Sequence, residues 1–427
     1  MKSFDEIRTL LIEQREEILN KDLGTERTKL AEITKYKDTP FPVVISGLRR
    51  SGKSTLLAQL ADKFYANDEY FYVNFEDDRF ISFKISDFTK LHELLIELFG
   101  NQKIFLLDEI QNIEGWEVFV NRMMRGGYKF YITGLNASLL SKELGTKLTG
   151  RYIPVELFPF SFEEYLRFNK KLKPDMTRLT TVQKGNFKKA FSEYLRKGGI
   201  PEALQYPQLA IHKTLYSAVL DRDIGARYKL TDTKPLRELA FYLLGNISSL
   251  VSYNKLKGLL QLGSVNTVSS YIEYLETGWL FFVLNRYAYS VKKQQIANKK
   301  VYSIDTGLTK SIAFSFSEDR GKFIENAVFL NLRRLYEQQK DIYYYKTQTN
   351  KEVDFYLPKQ KTFIQVSQSI IDPATREREV KALLDAMEEV KDSSAMIITD
   401  DEKDMLKVEG KNRTVFPIYE WLLTTKY

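Results

Sequence analysis

The sequence predicts an α/β fold: a parallel sheet with helices on both faces, then a winged-helix segment and a mixed α/β C-terminal region. Three observations predict it. Between residues 41 and 158, five short apolar runs alternate with helical stretches, as in a parallel sheet with crossover helices. The first run leads into a glycine-bearing turn, GLRRSGKST. Residues 232–290 join two helical patterns to an aromatic run, WLFFVLNRYAY.

Taken in order, residues 1–24 read as a charged helical arm. The apolar runs follow at 43–45, 70–75, 104–107, 130–133 and 153–157. Residues 159–205 turn helical and basic, ending in GGIPE. Further on, Ser264 or Asn266 can cap a helix on which Val268, Tyr271, Ile272 and Leu275 recur at i, i+3, i+4 and i+7. Gly278 stops that helix, and a shorter one precedes it over 253–260. In the last part, strands are expected near 342–345, 353–356, 363–366 and 396–398.

Composition excludes several chemistries. The 427 residues, 43% of them hydrophobic, suffice for two to four domains. With no Cys, disulfides, thiolate metal sites and a Cys nucleophile are ruled out. His92 and His212 are the only histidines, too few for a multi-histidine metal centre. The N-terminus lacks the apolar core of a signal peptide, and no run reaches 18 apolar residues, so a cytoplasmic protein with no membrane span is expected.

The sharpest chemical signal is Gly47 to Thr55, a full match to GxxxxGK[ST]. Gly47 and Gly52 let the backbone curl so that N–H groups face phosphate, and the following helix N-terminus adds a favourable field. The expected nucleotide-binding set is Gly47, Arg50, Ser51, Gly52, Lys53, Ser54 and Thr55. Lys53 reaches the β and γ phosphates, and the Ser54 hydroxyl ligates Mg²⁺. ATP and Mg²⁺ are therefore the expected cofactors. The run KIFLLDE supplies the second half: Asp108 holds the metal, and Glu109 is the base that polarises water. After the fourth run, Thr133, Asn136 and Ser138 are candidates to sense the γ-phosphate, with Asn136 favoured. Arg151 stands where an arginine finger could serve a neighbouring subunit, which points to a homo-oligomer.

The ordered set GLRRSGKST, FLLDEI, YITGLNAS, LTGRYIPVELFPFSFEEYL, GGIPEAL, SYNKLKGLL, VYSIDTGL, GKFIENAVFLNL and NKEVDFYL resembles the bacterial and archaeal AAA-type ATPases that carry a C-terminal domain of unknown function. The resemblance implies an AAA-type P-loop core, a winged helix and a restriction-endonuclease-like C-terminal fold. It puts nucleotide roles on Lys53, Ser54, Asp108, Glu109 and Arg151. The domains so expected are the arm at 1–24, an ATPase domain with a basic helical end at 25–205, a winged helix at 206–290 and a degenerate nuclease-like domain at 291–427. In that last fold the usual pattern is Glu, Asp, then Glu-x-Lys. Here Glu325 and Asp354 fill the first two places, but Gln365 and Ser367 occupy the last two. A neutral amide is a poor metal ligand and a hydroxyl supplies no cation, so nuclease activity is not expected.

The net charge of +8 is concentrated. Residues 165–200 hold ten basic and two acidic side chains; residues 283–304 hold Arg286, Lys292, Lys293, Lys299 and Lys300, with no acid and with interleaved tyrosines. Such segments suit phosphate contact and stacking. The helix after Ser264 offers no Arg or Lys for base reading. The expectation is an oligomeric Mg²⁺-dependent ATPase that binds DNA by shape and backbone, branched or Holliday-junction DNA included. The alternative is a nucleotide-controlled switch that docks a protein partner on its C-terminal domain.

Overall fold

The computed structural model describes residues 4–67, 69–134, 151–171, 179–313, 319–408 and 411–425. Asn136 and Ser138, and Lys173 and Arg178 of the first basic segment, lie outside the described residues. The chain divides into two compact units, Met1–Phe158 and Pro159–Tyr427.

The first unit opens with helices α1 (Phe4–Leu19) and α2 (Lys29–Thr34). Then come β1 (Val43–Ser46), α3 (Lys53–Phe64), β2 (Tyr70–Asn74), α4 (Phe88–Phe99), β3 (Ile104–Asp108), α5 (Trp116–Arg125), β4 (Lys129–Gly134) and β5 (Ile153–Glu156). All five expected runs are strands. They form one sheet in the order β2-β3-β4-β1-β5, with every pairing parallel.

Alternate residues of each strand enter opposite cores. Val44, Phe105, Leu107 and Phe130 pack with Leu10 of α1, Leu91 of α4, and Trp116 and Phe119 of α5. Val43, Ile45, Leu106 and Tyr131 pack with Leu30 of α2 and Leu56 and Leu60 of α3. Burial on both faces is why β1 to β4 read as apolar runs. Both ends of the sheet are managed. At the β2 edge, α1 lends Gln14, which donates to the Asn74 carbonyl at 2.9 Å and accepts from its N–H at 3.0 Å, so that strand edge is not left bare. At the β5 edge sits Pro154, tolerated because an outer strand need not donate on both sides.

Among the described residues the second unit holds two sheets. The smaller is antiparallel, β6 (Ser249–Val251), β7 (Phe281–Leu284) and β8 (Lys299–Ser303), in the order β6-β8-β7. Helices Lys234–Gly245, Tyr253–Leu259 and Val265–Thr277 accompany it. Ser264 is the cap of the last, accepting the Thr267 N–H at 3.0 Å, and Val268, Ile272 and Leu275 are buried on its inner face. The larger sheet runs β13-β14-β12-β11-β10-β9. Its strands are β9 (Tyr343–Lys346), β10 (Glu352–Leu357), β11 (Thr362–Val366), β12 (Ser394–Thr399), β13 (Asp404–Val408) and β14 (Lys411–Pro417). The first four match the expected strands. The hairpin of β13 and β14 was not expected, because DMLKV is interrupted by a lysine and KNRTVFP opens with four polar residues.

Candidate nucleotide site and a buried carboxylate cluster

The glycine-bearing loop joins the end of β1 to α3. At its start β1 runs close beside β5: the Leu157 N–H donates to the Ser46 carbonyl at 2.7 Å. A side chain at Gly47 would put its Cβ 2.2 Å from the Leu157 carbonyl oxygen, so only glycine fits. At the other end Gly52 has φ +92°, the left-handed region where glycine costs nothing. Arg50 shares that region at φ +64°. The loop thus brings Ser51, Lys53 and Ser54 to the helix start. Ser51 is fully buried, and its hydroxyl has no hydrogen-bond partner among the described residues. Lys53 is 5% exposed and donates to the carbonyls of Gly47 at 3.2 Å and Leu48 at 3.3 Å.

Asp108 and Glu109 follow β3. Asp108 is buried and accepts a hydrogen bond from the Thr133 hydroxyl, and the Ser54 hydroxyl lies beside it. The Tyr72 hydroxyl reaches its other oxygen at 3.4 Å. Burial pushes the Asp108 carboxyl above its ordinary value, and neighbouring Glu109 adds to this; the Ser54 and Thr133 hydroxyls and Lys53 act the other way. A hydroxyl touching a buried carboxylate is a donor set that fits Mg²⁺, which takes one or two carboxylates plus phosphate and water oxygens.

Glu109 sits at φ +51°, an unusual backbone for a non-glycine residue and a mark of functional sites. Its N–H donates to the Thr133 hydroxyl at 3.1 Å. One carboxylate oxygen lies 3.4 Å from Lys53 Nζ, and the other accepts from the Gln111 amide at 2.5 Å. Burial raises the Glu109 carboxyl, but Lys53, Gln111 and Arg49 outweigh it, and the group stays below its ordinary value. It is therefore an anion beside the lysine.

Arg151 is not brought to this cluster. It is exposed and precedes the N-terminal end of β5, whereas the glycine-bearing loop follows the C-terminal end of parallel β1. Conversely, three residues unnoticed in the sequence do converge. Arg27, 4% exposed, donates to the carbonyls of Ser51 and Phe158, both at 2.6 Å, and so clamps the loop from below. Tyr72 and Gln111 hold the two carboxylates. Nothing in TERTK marks Arg27; Gln111 stands two residues after Glu109, a proximity that could have flagged it.

The second unit contains another concentration of charge. Glu325 and Asp354 do converge, but on a cation of the chain itself. Lys300, 2% exposed, reaches Asp354 and Glu352 at 2.8 Å and Glu325 at 2.9 Å. The Tyr302 hydroxyl donates to Glu325 at 2.7 Å. Burial pulls the lysine down, yet the surrounding carboxylates reverse this and hold it well above its ordinary value. A divalent ion bound by Glu325 and Asp354 would meet this ammonium. Gln365 meanwhile donates to Glu379 at 2.7 Å. Among the described residues no group of three or more His, Asp or Glu is arranged to hold a metal.

This placement removes Lys300 from the basic surface of residues 283–304, where its charge was counted. Lys292 and Lys293 are exposed, between β7 and β8. In the first basic segment Lys170, Lys171, Lys184, Lys189, Arg196 and Lys197 are exposed, while Lys188 pairs with Asp401. Among the described residues no helix is long and apolar enough to cross a membrane.

Comparison with known proteins agrees with this geometry. Residues 39–166 match the family described as an AAA domain, 188–319 a domain of unknown function (DUF8612) and 320–421 another (DUF4143). The uncharacterized protein MJ1544 of Methanocaldococcus jannaschii is 32% identical over 89% of this chain and 88% of its own length. An uncharacterized protein of Haemophilus influenzae is 32% identical over 74% of this chain and 80% of its own. Among solved structures, the Aeropyrum pernix ORC1 protein in complex with DNA is 14% identical, covering 72% of this chain and 96% of that one, with a TM-score of 0.33. The S. cerevisiae Hsp104:casein complex is 13% identical, covering 66% and 60%, with a TM-score of 0.34. At such scores neither structure's ligand or assembly carries across.

Proposed function

The chain belongs to a family of P-loop ATPases in which an AAA domain precedes two domains of unknown function, and from that premise we propose that its ATP hydrolysis is coupled to binding DNA. It is an AAA-type ATP hydrolase and binds nucleotide. The observation that carries the site assignment is the contact of Lys53, Ser54, Asp108, Glu109 and Thr133 in one buried cluster.

In this reading Gly47, Arg50, Ser51, Gly52 and Thr55 line the phosphates with backbone N–H groups and side-chain donors. Lys53 exchanges its bonds to loop carbonyls for phosphate oxygens. Ser54 and Asp108 hold Mg²⁺, which supplies charge neutralisation on the phosphates when bound. Glu109, anionic and close to Lys53, orients water and takes its proton. Thr133 fixes the carboxylate of Asp108 and the backbone of Glu109. Arg151, remote from its own loop, serves a neighbouring subunit in an oligomer.

The nucleic-acid part rests on the exposed lysines of the two basic segments, with Lys300 left out. The helix–strand–helix–helix–strand–helix–strand order of residues 234–303 supports reading that region as a winged helix. Its hairpin between β7 and β8 is then the wing. The C-terminal sheet acts as a binding module rather than a nuclease, because an ammonium occupies the centre of its carboxylates.

Two variants test the assignment. Lys53→Ala should lose nucleotide binding in a filter or fluorescence assay. Glu109→Gln should still bind ATP but hydrolyse it about 100-fold or more slowly, the usual contribution of a general base. Turnover unchanged in Glu109→Gln removes that residue from the chemistry.

A further inference from the structure

The hairpin between β7 and β8 has a feature that charge alone does not explain. Tyr289, Val291 and Ile296 are 87%, 67% and 75% exposed. Three large exposed apolar groups within eight residues of chain point to a contact surface.

Tyr289 is also held in place. Its ring meets that of Tyr287 edge-on at 5.5 Å between centroids. Tyr287 in turn contacts Tyr343 at 5.6 Å and Tyr356 at 4.8 Å. Tyr356 stacks on buried Phe363 at 4.5 Å. The backbone follows the same route: the Tyr287 N–H donates to the Tyr344 carbonyl at 2.8 Å. Tyr289 is thus the outermost ring of an aromatic ladder that starts in the core of the larger sheet. Exposed Lys292 and Lys293 follow it by three and four residues, and residues 283–304 contain no acid.

A fixed, exposed ring beside lysines fits a polyanion that also offers flat apolar faces. A regular duplex hides its base faces in the stack, whereas unpaired bases present them. A lipid surface wants a longer apolar helix face; the helix here, Val291–Ile296, has six residues and four polar ones between its ends.

We propose that Tyr289 is a stacking platform for an unpaired nucleobase, with Lys292 and Lys293 on the flanking phosphates. This rests on the nucleic-acid reading above and narrows it to DNA with single-stranded or opened bases.

The test uses the full chain and a fluorescein-labelled single strand and duplex of one sequence, with anisotropy read at several salt concentrations. Tyr289→Ala should weaken single-strand binding about tenfold, within the range for one stacked base, and leave duplex binding within about twofold. Tyr289→Phe should retain wild-type affinity, since the ring is kept. Lys292→Ala combined with Lys293→Ala should flatten the log–log salt slope for the single strand by about 1.4. Wild-type single-strand affinity in Tyr289→Ala overturns the platform while leaving nucleic-acid binding intact. If the wild type binds neither nucleic acid, the parent reading falls. Tyr289-dependent binding to phosphatidylserine vesicles, with no such dependence for single strands, overturns the proposal in favour of a membrane surface.

Discussion

Thr133 shows what a single side chain can do at a strand end. Its hydroxyl bonds the Asp108 carboxylate and accepts the N–H of Glu109, so it orients both carboxylate residues. Thr133→Val keeps the shape and removes the hydroxyl. Steady-state ATPase measurements on this variant should show activity about 10- to 100-fold lower, the range seen when a supporting hydrogen bond to a metal-site ligand is lost; wild-type activity would make the hydroxyl merely structural. At this scale the sequence was partly legible. Lys53, Ser54, Asp108 and Glu109 stand out because phosphate and metal chemistry demands those residue types at those spacings. Thr133 was only one of three candidates, since period and polarity do not say which hydroxyl turns inward. Lys300 misled for a similar reason. A lysine beside tyrosines reads as solvent-facing, and only the fold brings Glu325, Glu352 and Asp354 around it. Such a buried group is tolerated because it is paired; removing one partner typically costs about 3–5 kcal/mol.

Among the elements, β1 to β4 were readable because burial on both faces leaves them largely apolar, and Ser264 was one of two residues readable as a cap. The β13–β14 hairpin was not, because its two strands carry only short apolar stretches beside charged and polar residues. One element carries a pH dependence. Glu276, near the end of the Val265–Thr277 helix, accepts the Val283 N–H at 2.8 Å and so joins that helix to β7. Burial pushes its carboxyl up to about 7 from an ordinary 4.5, against the opposing pull of the Val283 and Gln338 hydrogen bonds. A carboxyl raised on folding favours the protonated form. Its stabilising effect is full below about pH 4.5 and is lost as pH rises through about 7. Glu276→Gln stays neutral and keeps an acceptor for Val283. Thermal melts should therefore show the variant gaining on wild type at pH 8 relative to pH 5; a pH-independent difference would contradict the raised carboxyl.

For the whole molecule, assembly and partner are the open links from site to function. Arg151 lies away from its own phosphate loop, so its proposed role requires a neighbour. Arg151→Ala and Lys53→Ala subunits, each inactive alone, should regain part of the ATPase activity when mixed, because one supplies the site and the other the arginine. No recovery at any ratio would place Arg151 outside the chemistry. The α/β class and the parallel sheet of the first unit were legible from motifs and periodicity. What the charge excess binds was not, because phosphate contacts require only exposed lysines and no fixed spacing. The most direct measurement is ATP turnover by the wild type alone and with single-stranded, duplex and four-way-junction DNA at moderate salt. Coupling predicts that at least one DNA binds and raises turnover, and that Lys53→Ala abolishes the response. Turnover unchanged by all of them, with no binding, would contradict it.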